Sequence, residues 1–266
     1  GLGVPRPTIR LIKQADEIRL TNSQDSTLDY TDPMKEGADK YCTELDTISG
    51  YILKSKSPSC GMERVSVFNE KGMPDKNGTG IFASVLMERF PDLPVEEEGR
   101  LNDSKIRETF IDGVFTYHRW QQMLKSGLSV ASLMEFHRAH KFNLLAHDES
   151  IYRKLGPLVA SATPENLAEV SADYCSLLMQ AMKKPTTRKT HTNVLQHVMG
   201  FLKNDLDSDD KDELLGIFDN YRMGQIPLIV PITLLNYHLR KNPREYLEGQ
   251  YYFNPYPEEL MLRNHL

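Results

Sequence analysis

The sequence predicts an α/β part followed by an all-α part, and three observations predict it. Short apolar runs separated by turn residues fill the chain to about residue 117. From "LNDSKIRETFIDGVFTYHRWQQML" onward, apolar residues recur at helical spacing and strand-like alternation is nearly absent. Charge divides at the same place: residues 1–117 hold 15 Lys/Arg against 20 Asp/Glu, whereas residues 118–266 hold 17 of each. The boundary is therefore placed at 117/118, with no flexible linker and with a long helix near 103–125 joining the two parts.

The elements follow in order. "EGADKYCTELDTI" reads as a helix, "SGYILKS" as a short strand and "RVSVF" as a second strand. "NEKGMPDKNGTG" is turn chemistry throughout, and "IFASVLMERF" is a helix that starts on the preceding glycines. Asn102, Asp103 and Ser104 offer caps for the long helix, and Ser129, Thr163 and Ser208 mark later starts. Residues 130–154 read as one helix. In "THTNVLQHVMGFLK" the residues Val194, Leu195, Val198, Phe201 and Leu202 form the buried side. "IPLIVPITLLNYHL" is too apolar for a site and supplies core.

Bulk properties narrow the class. A chain of 266 residues with 39% hydrophobic and 26% charged residues fits a soluble globular protein with one large or two ordinary domains. No apolar run approaches the roughly 18 to 20 residues of a membrane span, and "GLGVPRPTIR" lacks the order of a signal peptide. Three scattered cysteines make no disulfide framework, so a cytoplasmic location is expected.

One loop concentrates chemistry. In "SKSPSCGMERV", Pro58 fixes one backbone angle and Gly61 permits unusual ones, so the loop is able to turn Cys60 and nearby amides toward one point. Ser57 and Ser59 bring hydroxyls to the same place, and a metal-bound thiolate needs such donors around it. An ordinary loop cysteine is the competing reading. "GLGVPRP" is able to cradle an anion with its amides and Arg6, or simply to shape a turn. "NGTG" lacks the Lys and spacing of a phosphate loop and reads as a turn with a cap. The run Glu96 to Glu98 reads as a solvated stretch.

Longer motifs carry a resemblance. "GLGVPRP", "ILKSKSPSCG", "GTGIFASVLMERF" and "LPVEEEGRLND" resemble the thiouracil desulfidase family, in the form fused to a C-terminal domain. "LMEFHRAHKFNLLAHDESIYRKLGPLVA", "TNVLQHVMGFLK", "DDKDELLGIFDNYRMGQIPLIVPITLLNYHL" and "PYPEEL" resemble that partner, the YbgA-type domain. The resemblance implies an enzyme that removes sulfur from 4-thiouridine in transfer RNA, or from free thiouracil. It also implies a [4Fe–4S] cluster held by three cysteines, with one iron left open as a Lewis acid. Cys60 matches the last cluster ligand, and Ser57 matches a serine that faces the substrate as a hydrogen-bond donor or proton relay. Ser59, Gly61 and Arg6 then lie at the substrate. The family's other two cysteines, one in a Cys-Pro-Glu motif, and its acidic catalytic residue are expected upstream of Gly1. Cys42 and Cys175 lie on apolar-periodic helices and are expected in the core.

The second part holds two further concentrations. On one helix, His137, His140 and His147 share a face, with Asp148 beside them and Arg138, Lys141, Tyr152, Arg153 and Lys154 adjoining. A packed polar interface, RNA contact and a metal site are the readings this pattern admits. His137 to His147 spans about 15 Å of helix, too far for one ion. The other concentration is "KKPTTRKTHTNVLQH". Lys183, Lys184, Arg188 and Lys189 form a basic turn, and Asn193, Gln196 and His197 lie on an exposed side of the next helix. Cations for phosphates, with amides and imidazoles for bases, are the ingredients of structured-RNA binding; a solvated basic loop is the plain alternative. Residues 137–203 carry nine basic against five acidic side chains, so transfer RNA is the expected partner of this part. Two function classes follow: the desulfidase with an RNA-holding helical domain, and a non-catalytic RNA-binding module beside an inactive α/β part. A structural or oligomerising role for the helical domain is a third, weaker option.

Overall fold

The computed structural model describes residues 7–45 and 47–264. It bears out the α/β part followed by the all-α part. The chain divides into two compact units, Gly1–Asn102 and Asp103–Leu266. The division falls at the start of the long helix, before the 117/118 position read from the sequence, because the inward face of that helix belongs to the second unit's core.

In the first unit β1 (Ile9–Gln14) and β2 (Glu17–Asn22) form an antiparallel hairpin turned at Ala15, whose φ is 52°. This hairpin is absent from the elements the sequence predicts. Helix α1 (Thr31–Cys42) follows, starting and ending earlier than "EGADKYCTELDTI" suggests. The predicted strands appear as β3 (Tyr51–Leu53) and β4 (Val65–Phe68). A further strand, β5 (Pro74–Gly78), occupies the stretch read as turn throughout; four of its five residues are exposed, so no burial pattern betrays it. Helix α2 (Ile81–Arg89) and β6 (Val95–Glu97) complete the unit. The main sheet has the order β2-β1-β4-β5, with β1 and β4 parallel, while β3 and β6 form a separate parallel pair. Leu11, Leu20, Val65, Val67 and Ile81 make one core cluster; Cys42, Leu53, Ala83 and Leu86 make another.

The second unit is helical: α3 (Ser104–Ser126), α4 (Val130–His147), α5 (Glu149–Ala160), α6 (Leu167–Met182), α7 (Arg188–Phe201), α8 (Ser208–Arg222) and α9 (Ile229–Lys241). Asp103 caps α3 by accepting from the Lys105 and Ile106 amides, and Ser129 caps α4 in a reciprocal pair with Ser132. Asn166 and Asp207, not Thr163 and Ser208, occupy the cap positions of α6 and α8. The stretch 130–154 is two helices, not one. Asp148 is extended, and its carboxylate takes the Ser150 and Ile151 amides, which starts α5 anew. Trp120 packs with Phe136 and Tyr174 in one core cluster, which also holds Cys175. Val194, Leu195, Val198, Leu202 and the α8 and α9 residues Phe218, Tyr221, Ile232 and Leu235 build the other. Among the described residues no helix is long and apolar enough to cross a membrane.

Candidate functional site

The "SPSCG" loop is a tight turn fixed at both ends. The Gly61 amide donates to the Ser57 carbonyl at 2.8 Å, and the Cys60 and Ser59 amides donate to Ser57 Oγ at 3.2 and 3.3 Å. Those two amides fill the acceptor positions of the Ser57 hydroxyl, so its proton is left to donate. In this structure it meets Ser59 Oγ at 3.1 Å, and Ser59 Oγ lies 3.3 Å from Cys60 Sγ. Ser57, Ser59 and Cys60 are half-buried and thus reachable. The structure therefore brings together Ser57, Ser59, Cys60 and Gly61. Arg6 and the "GLGVPR" stretch lie outside the described residues.

The loop sits on the start of α2. The Gly80, Ile81 and Ala83 amides donate to the carbonyls of Gly61, Pro58 and Ser59 at 2.8, 3.2 and 3.1 Å. The amides that open the helix are thereby spent on the loop, and "NGTG" offers no phosphate cradle. Close approach explains two glycines. A Cβ on Gly80 would stand 2.4 Å from the Ser59 carbonyl carbon and oxygen, and one on Gly61 would meet Val65 Cγ2 at 2.4 Å.

The acidic run is not a solvated stretch. Glu96 and Glu97 are buried. Glu97 Oε1 accepts from the Met62 amide at 2.8 Å and the Glu63 amide at 3.5 Å, just beyond Gly61. Arg100 bridges Glu96 and Glu63 at 2.7 and 2.5 Å. Glu98 holds the other end of the loop through the Lys54 ammonium and the Ser55 amide, which draw its carboxyl down to about 2. The three glutamates are the supports of the loop that sequence reasoning missed, because the strand β6 that presents Glu96 and Glu97, with Glu98 just after it, is only three residues long.

Cys60 offers one free sulfur. Cys42 and Cys175 are buried core residues, as their helical positions predict. Among the described residues no group of three or more His, Cys, Asp and Glu is placed to hold a metal ion. This donor set alone does not fit a [4Fe–4S] cluster, which needs several cysteine ligands.

In the helical unit the three histidines of the predicted stripe are buried and do not reach a polyanion. His140 lies between the Phe136 and Tyr251 rings, and burial lowers its pKa to about 3. His137 meets the Tyr174 hydroxyl at 3.3 Å, and burial lowers it to about 4. His147 differs. Its Nδ1 faces the Lys184 carbonyl at 2.6 Å and its Nε2 faces Asp112 Oδ2 at 3.3 Å. Two acceptors require two N–H groups, so His147 is an imidazolium. Burial pulls its pKa down, but the bond to Asp112 and the Asp112 charge raise it above the ordinary value. Asp112, buried on α3, also takes the Asn143 amide at 3.0 Å, and its pKa is held low despite burial.

The remaining predicted RNA contacts divide. Arg138 is a strap, bound to Glu135 and to the carbonyls of Tyr246 and Glu248. Arg153 pairs with Glu149, Lys184 with Asp148, and Tyr152 is packed between the two core clusters. Lys183, Arg188, Lys189, Gln196 and His197 are exposed, and Lys141 and Asn193 are half-buried.

Comparison with known proteins agrees with this division. Residues 1–98 match the family described as 2-thiouracil desulfurase, and residues 141–257 match the family described as a protein of unknown function, DUF1722. The class is a fusion of a desulfurase-type α/β segment with a YbgA-type helical domain. The protein named "Uncharacterized protein YbgA" of Escherichia coli (strain K12) is 30% identical over 165 residues, which is 62% of this chain and 98% of the relative. The chain belongs to the YbgA family. No solved structure matches it.

Proposed function

We propose that the protein removes sulfur from a thiolated pyrimidine, 4-thiouridine in transfer RNA or free thiouracil, leaving uridine or uracil. The carrying observation is the Ser57–Ser59–Cys60 turn, half-buried and locked onto α2, inside the segment that matches the desulfurase family. Exchange of C=S for C=O consumes one water and releases hydrogen sulfide, with no net oxidation. The thiocarbonyl sulfur is a soft group that accepts hydrogen bonds, and the Ser57 hydroxyl is the donor whose own acceptor positions are already filled. Glu97 and Glu98 hold that donor in place from either side of the loop. A [4Fe–4S] cluster belongs to the proposal with Cys60 as the ligand this chain supplies. One thiolate does not hold such a cluster, so no step is derived through it.

The helical unit is proposed to hold the RNA. Its exposed cations Lys183, Arg188 and Lys189 support this reading; the buried histidines do not. The test is Cys60→Ala in the full-length protein, read by iron content and by release of sulfide from 4-thiouracil. Loss of both supports the proposal; a variant that keeps both refutes it.

A further inference from the structure

The helical period puts Phe201 on the buried side of α7, yet Phe201 is 40% exposed, and Tyr246, in the loop after α9, is 36% exposed. The two rings stack, with centroids 5.2 Å apart and planes 16° apart, and the buried Phe142 meets both edge-on. The Lys141 ammonium lies 5.7 Å from the centre of the Tyr246 ring. Of the acids around it, Glu135 is matched by Arg138 and Asp205 by Arg244, while Glu245, next to Tyr246, is exposed.

This pair ends a stripe. Lys189, Asn193, His197 and Phe201 recur every four residues along α7, over about 18 Å of helix. Just ahead of it stand Lys183 and Arg188, both exposed. Residues 174–204 contain five Lys/Arg and no Asp or Glu, so the α7 part of the track presents no like charge toward phosphate. Cations at one end and an exposed stacked aromatic pair at the other match the way unpaired nucleotides are held: phosphates by charge, bases by ring faces.

We infer that this track binds an unpaired stretch of RNA, with one base stacked on the Phe201–Tyr246 pair. The inference rests on the RNA-holding role proposed above and adds residues that neither the sequence motifs nor the family matches assign. Stacking transfers no charge, so its loss releases no fewer counterions; cation loss does.

The experiment measures transfer-RNA affinity of the full-length protein across a salt series. Phe201→Ala, Tyr246→Ala and Phe201→Leu form one arm, with Phe201→Trp as the rescue. The second arm is the Lys183, Arg188 and Lys189 triple replacement by Ala. Expected for the aromatic arm is an affinity loss of about tenfold at every salt concentration, with an unchanged slope and recovery in Phe201→Trp. Expected for the cation arm is a flatter slope, by about 0.7 to 0.9 per contact removed. Phe201→Leu keeps the apolar packing against Phe142, so a loss there is a loss of stacking. If the cation arm weakens binding while the aromatic arm does not, the RNA role stands and the aromatic track is overturned. If the wild type binds no RNA, both are overturned.

Discussion

Replacing Asp112 with Asn removes the partner of a buried imidazolium. The His147 and Asp112 side chains are 1% and 2% exposed, so water does not compensate either charge. Breaking such a pair costs about 3–5 kcal/mol, because one charge remains buried without its counterion. The pH dependence follows from the directions of the two shifts. Asp112 is held below its ordinary value, so its contribution is present above about pH 4 and is lost as pH falls. His147 is held above its ordinary value, so its contribution is full below about pH 6.5 and fades as pH rises through the raised value. The difference between wild type and Asp112→Asn should therefore peak between about pH 4 and 6.5 and shrink toward alkaline pH. Without Asp112 the largest opposition to burial at His147 is gone, with the Glu108 charge and the Lys184 carbonyl the weaker supports that remain, and the variant should lose further stability on acidification. The single tryptophan, Trp120, is buried in the helical unit, so its fluorescence in a urea titration reports that unit. His147→Gln in the Asp112→Asn background should recover part of the loss, since the buried imidazole no longer has to take up or shed a proton without its carboxylate partner. A difference below about 1 kcal/mol, or one that is flat from pH 5 to pH 9, would refute the ion pair.

Three further outcomes concern the loop. Glu97→Ala strips the acceptor from the Met62 and Glu63 amides and should loosen the turn by about 1–3 kcal/mol; alkylation of Cys60 should then quicken, and an unchanged rate would sink the supporting role. Gly80→Ala drives a Cβ into the Ser59 backbone and should destabilise the first unit by about 1–3 kcal/mol, visible in a thermal melt; wild-type stability would mean that the loop packs elsewhere. Ser57→Ala should lower turnover on 4-thiouracil while iron content stays at the wild-type level. Loss of iron as well would make Ser57 a structural residue.

What the sequence determined by itself was whatever repeats locally. The helical character of the second part, though not the break between α4 and α5, the strands β3 and β4 and the caps Asp103 and Ser129 are legible because period and capping chemistry are short-range. The turn around Cys60 is equally legible, since Pro58, Gly61 and the two serines act within five residues. Tertiary structure decided the rest. Glu108, Asp112 and Thr116 recur every four residues on α3 and look like a solvated stripe, yet all three are buried. Only partners from elsewhere in the chain make that burial tolerable: His147 and Asn143 from α4 for Asp112, more than 30 positions away, and the Tyr256 hydroxyl, which donates to Glu108 at 3.1 Å. The same holds for the histidines: their spacing places them on one face, but the partners on α3, on α6 and in the turn that follows α6 decide that the face is internal. Conversely, Phe201 has the period of a core residue yet stays 40% exposed, with Tyr246 and Phe142 covering only part of its ring. A side chain's neighbours in its own helix are written in the sequence; whether water or another helix covers it depends on contacts between residues far apart in the chain.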